Sequence, residues 1–67
     1  MHPNLWSAVM WCQDNRAEVR FTGSTELRGS RAVEVTVPPY GVLATRVSFV
    51  EAVVAADRAL ERITRVD

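Results

Sequence analysis

The chain has 67 residues, with eight arginines, no lysine and eight acidic residues, so its net charge is zero and its length allows one domain. That balance excludes a global field that would draw in nucleic acid or an anionic membrane surface. One cysteine (Cys12) and one histidine (His2) exclude an intrachain disulfide and leave no CxxC or His/Cys cluster for a structural zinc. A chain this short buries only about 60% of its unfolded surface, so association with another chain is the expected source of further burial.

Residues 5–12, LWSAVMWC, read as a first strand. Asp14 and Asn15 tolerate a left-handed backbone and predict a two-residue turn pairing Cys12 with Ala17, Met10 with Val19 and Ala8 with Phe21. In that register Trp6, Ala8, Met10 and Cys12 lie in the core, and Leu5, Val9 and Trp11 lie on the outer face beside Glu18 and Arg20. A three-residue loop inverts the parity and puts Trp6 and Met10 outside. In either register one tryptophan and at least one large aliphatic side chain face away from the core.

Residues 17–22, AEVRFT, alternate as a half-buried strand, with Ala17, Val19 and Phe21 inward. The stretch GSTELRGSR, 23–31, has the glycines and serines of a phosphate cradle, but it lacks the P-loop lysine and does not open a helix. It reads as a mobile hairpin loop. Residues 31–37 form the next strand, with Val33, Val35 and Val37 inward, and PPYG, 38–41, turns the chain with Gly41 available for positive φ. A short strand at 42–46 follows.

From Ser48 the apolar period becomes 3.6: Phe49, Val53, Ala56, Leu60 and Ile63 share one face, and Ser48 with Glu51 forms an S-x-x-E capping box. The helix is predicted over 49–65. The chain is therefore expected to be a single α+β domain over 1–67: a three- or four-stranded antiparallel β-meander followed by one C-terminal helix packed on one sheet face.

No catalytic constellation emerges, and neither a cofactor nor a metal is implied. His2 has no fixed neighbours, Cys12 falls on the predicted core face as a small hydrophobe, and Glu18 and Glu34 sit on an open sheet face beside Arg20. With no secretory leader or apolar run of spanning length visible, a cytoplasmic place in a bacterial or phage-infected cell is the expectation.

The stretch VPPYGVLATRVSFVEAVVAADRAL, 37–60, resembles the HicB-like antitoxin domain, with Gly41 at the turn glycine, Ser48 at the capping threonine, and Glu51, Ala52, Ala56, Ala59 and Leu60 at the helix positions. It departs from that pattern at Val42, usually cysteine, and Arg46, usually glycine. The resemblance implies a sheet-and-helix module that oligomerises and binds a small toxin protein without catalysis of its own.

The expected function is thus a non-enzymatic protein interaction module forming a homo-oligomer, with a heterologous protein partner as a further possibility. Its contact is placed on the outer sheet face at Leu5, Val9, Trp11 and Arg20, with Val54 as an apolar spot on the helix. The alternative is a nucleic-acid-binding regulator that grips phosphates with Arg58, Arg62 and Arg65. Glu61, four residues before Arg65, instead suggests an intrahelical ion pair on a solvated face.

Overall fold

The computed structural model describes residues 3–22 and 32–65. Within them the chain runs α1 (Leu5–Asn15), β1 (Glu18–Thr22), β2 (Ala32–Val37), β3 (Gly41–Arg46) and α2 (Phe49–Thr64). His2 and the whole 23–31 loop lie outside the described residues. The protein is α+β, with three antiparallel strands in the order β1-β2-β3 and two helices.

The first element corrects the sequence reading: residues 5–12 are helical, so the sheet has three strands and a helix precedes it. The physical reason is local. Asn4 is extended and its side-chain oxygen accepts from the Ser7 N–H at 2.9 Å, satisfying one of the unpaired donors at a helix start. Asp14 and Asn15 are not a turn but the last helical residues, and the chain reverses at Arg16, which is left-handed at φ 53°. There the Ala17 N–H donates to the Cys12 carbonyl at 2.9 Å and the Arg16 N–H to the Gln13 carbonyl at 3.4 Å, a Schellman closure.

The remaining strands and the second helix lie where the sequence places them, within a residue or so at their ends. Val35 pairs with Val19 on one side and Ala44 on the other, and Val33, Val35 and Val37 are all buried. These valines meet Ala8 and Trp11 of α1 and Ala52, Val53 and Ala56 of α2, so both helices contribute to one core. The turn at 38–40 contains a cis Pro38–Pro39 bond, and the Tyr40 N–H donates to the Val37 carbonyl at 2.8 Å. Gly41 follows at φ 93°, the positive value for which a glycine is suited.

The pairing of β2 with β3 shifts between Val35 and Thr36: Val35 faces Ala44 while Thr36 faces Val42. Leu43 is the extra residue of this bulge. It packs against the core next to Ala44, so two successive β3 residues meet the interior. Helix α2 begins as the capping pattern requires, with Ser48 Oγ accepting from the Glu51 N–H at 3.1 Å.

Phe21 keeps the inward parity of Val19, yet it is 67% exposed. Its position near the end of β1 leaves it beyond the covering helices' main contacts. The other sheet face carries Glu18, Arg20, Glu34 and Thr36, with Arg20 directly across from Glu34 and Glu18 across from Thr36. That arrangement does not set the two carboxylates opposite each other, and it places a basic residue against one of them.

Candidate interaction surfaces

Two surfaces stand out among the described residues, one apolar on α1 and one basic between α2 and β3. Each is built by a local feature of the chain.

On α1 the 3.6 period puts Ala8, Trp11, Cys12 and Asn15 on the side that meets the core, with Ala8 and Trp11 buried. The opposite side carries Trp6 at 73% exposure and Met10 at 39%, while Leu5, in line with Ala8 and Cys12, is 63% exposed at the helix start. Leu5 with Val9 and Trp6 with Met10 are i, i+4 neighbours, so they form adjacent pairs on the helix surface. The segment from Leu5 to Gln13 contains no charged residue. The apolar side of α1 is uncovered among the described residues, and its one charged neighbour is the exposed Asp14, one turn beyond Met10.

This geometry redistributes the expected interface residues. Leu5 is exposed and Val9 half-buried, both on α1 and not on the sheet. Trp11 is buried, because helical spacing turns it toward α2, where its indole N–H donates to Asp57 Oδ1 at 2.8 Å. Trp6 and Met10, expected inside in the preferred register, are the exposed pair instead. Arg20 is exposed on the polar sheet face, away from either indole's helix, and Val54 is half-buried on α2. The outer sheet face thus presents mainly charged and hydroxyl side chains, with Val42, across from Thr36, as an exposed apolar residue among them.

The basic surface is a groove along α2. One segment, about 340 Å³, is lined by Leu43, Arg46, Ala55, Arg58, Ala59 and Arg62. A neighbouring segment of about 340 Å³ shares Arg46, Ala55 and Arg58 and adds Pro3, Val50, Glu51 and Val54. Of the arginines proposed from the sequence, Arg58 and Arg62 line this groove, and all three, Arg58, Arg62 and Arg65, line an adjoining cleft of about 230 Å³ with Glu61. Arg65 is held by Glu61, with Nη2 to Oε1 at 2.9 Å. Both side chains are well exposed, so this pair contributes little to stability.

Arg46 is the member that sequence reasoning missed. Its signal was its inward parity at the end of β3, across from Val33, two residues before the helix cap. Its Nη1 donates to the Thr45 carbonyl at 2.8 Å, which leaves the guanidinium without a carboxylate partner among the described residues.

Cys12 is half-buried and free, and burial raises its thiol pKa above the ordinary value. A thiol so placed is a poor nucleophile near neutral pH. Among the described residues no group of three His, Cys, Asp or Glu side chains is placed to hold a metal ion, and no helix is long and apolar enough to cross a membrane.

Comparison with known protein families, with curated proteins and with solved structures finds no match to this chain.

Proposed function

We propose that the protein is a small non-enzymatic interaction module that associates with a second copy of itself through the apolar side of α1. The observation that carries this reading is the exposure of Trp6 and Leu5 on a helix whose other side is packed into the core. Tryptophan offers a large contact area and is enriched at the energetic centres of interfaces. A second copy suits the surface because the stretch Leu5–Gln13 is uncharged, so two identical patches meet there without like-charge repulsion, with Asp14 left at the helix end.

The interior supports the same reading. Its largest fully buried side chains are Val35 and Val53, and Trp11 is the one large aromatic among the buried core residues described. A core of valines and alanines in a chain of 67 residues gains from burial across an interface. An antitoxin-like role, which the resemblance of residues 37–60 to the HicB-like domain implies, belongs to this proposal, and so does the separate reading of a phage-encoded regulatory protein.

Fluorine NMR of protein labelled with 5-fluorotryptophan tests it, with the two resonances assigned through Trp6→Phe. The Trp6 resonance is expected to move as protein concentration rises from micromolar to millimolar while that of Trp11 stays in place. A Trp6 resonance indifferent to concentration contradicts the proposal.

A further inference from the structure

The groove between β3 and α2 joins three features that self-association through α1 does not use. The first is charge. In its central segment the guanidiniums of Arg46, Arg58 and Arg62 share a space of about 340 Å³ whose lining contains no carboxylate. Glu51 lines the neighbouring segment at the α2 start, and Glu61, which lines an adjoining cleft with Arg58 and Arg62, is engaged by Arg65. Arg58 and Arg62 are also i, i+4 neighbours of like sign, a spacing that costs a helix stability when nothing compensates it.

The second feature is the floor, which is apolar: Leu43, delivered by the bulge, with Ala55 and Ala59 of α2. The third is the strand beside it. In the sheet order β1-β2-β3, strand β3 lies at an edge, and among the described residues β2 is its one strand neighbour. An edge strand presents backbone donors and acceptors to any extended chain laid alongside it.

Together these point to one occupant. The geometry points to an extended acidic segment of another protein, which adds as a strand to the edge of β3 that is unpaired among the described residues. Its inward side chains lie over Leu43, Ala55 and Ala59, and its carboxylates lie on Arg58, Arg62 and Arg46. Bidentate guanidinium–carboxylate contacts give such a segment its direction and register. A nucleic-acid strand fits less well: the groove has no aromatic platform for bases, its floor is aliphatic, and the chain carries no net positive charge.

The test is a ¹⁵N–¹H titration of the whole chain with the synthetic peptide Val-Glu-Val-Glu-Val-Glu-Val-Glu, acetylated and amidated. Shifts are expected to concentrate on residues 41–46 of β3 and 55–62 of α2. The paired charge reversal Arg58→Glu with Arg62→Glu is expected to weaken binding at least about tenfold, since both close charge contacts are lost. The fold of that variant is checked by its own spectrum, and an Arg58→Gln, Arg62→Gln pair provides a milder second variant that must also bind more weakly. Of two peptides N-methylated at alternate residues, one must lose binding, because strand addition uses the backbone N–H groups on one side.

Binding by Trp6→Glu at wild-type strength supports an occupant independent of the α1 surface. The inference is overturned if the peptide produces no shifts, if shifts fall on α1, if both N-methylated peptides bind unchanged, or if a dT12 oligonucleotide shifts the groove while the peptide does not.

Discussion

The indole N–H of Trp11 donates to Asp57 Oδ1 at 2.8 Å across the contact between α1 and α2. The two residues lie 46 positions apart, and the bond fixes the position of the first helix along the second. It also explains why an aromatic can be 9% exposed in so small a core: its one polar atom is satisfied. Replacing Asp57 with Ala removes the acceptor and is expected to cost about 1–2 kcal/mol, and Asp57→Asn, which keeps an oxygen there, costs less. A double-mutant cycle with Trp11→Phe, read by urea denaturation, is expected to show coupling of about 1 kcal/mol. Additive effects would deny the bond a role in docking the helices.

Helix α1 rests on its caps, since nothing in its interior sequence strongly declares it. Asn4→Ala is expected to destabilise the protein by about 1 kcal/mol, and Ser48→Ala, at the start of α2, by a similar amount. In a domain of this size that corresponds to a fall of about 4–8 °C in Tm for each. Thermal unfolding followed by far-ultraviolet circular dichroism measures both. If Asn4→Ala has no effect while Ser48→Ala has the expected one, the helical start at Leu5 is not an energetic feature of the fold.

Cys12 supplies a pH dependence. Burial raises its thiol pKa, so the fold favours the neutral form. The associated stability is fully present below the unfolded thiol's pKa, about 8.5, and is lost as pH rises through the higher folded value. Wild type is therefore expected to lose more stability above pH 8 or so than Cys12→Ala does. Alkylation by iodoacetamide at mildly alkaline pH is also expected to be slower in the native chain than in the same chain unfolded in urea. Equal rates would show that the α1 side carrying Cys12 opens freely.

The elements from 17 onward were legible because their patterns have one reading. Val33, Val35 and Val37 alternate without interruption, Phe49 through Ile63 repeats at 3.6, and Ser48 precedes a glutamate at the capping distance. The stretch 5–12 fits both periods, because apolar residues occupy both sides of it whichever is assumed. Two local signals favoured a helix. Asn4 stands at a capping position, and Val9 is the one β-branched residue between Leu5 and Asn15. The exposed apolar side of α1 blurred its amphipathic pattern, so the feature that makes the helix a candidate contact is also what hid it.

That error carried into the site. With a strand assumed, parity put Trp11 outside and Trp6 inside; with a helix, the two exchange places. That one tryptophan faces away from the core did not depend on the choice. The grouping of Arg58 with Arg62 was visible in their spacing, whereas the arrival of Arg46 from β3 needed the register of the sheet.

The central claim is that the apolar side of α1 is closed by a second copy of the chain. Sedimentation equilibrium of the wild type beside Trp6→Glu tests it most directly, because Trp6 is 73% exposed and its replacement leaves the core intact. The account predicts a wild-type mass of twice the 7.5 kDa chain, falling to the monomer value in Trp6→Glu with an unchanged circular dichroism spectrum. A wild type that stays monomeric into the millimolar range, or a Trp6→Glu variant that remains as large as the wild type, contradicts it.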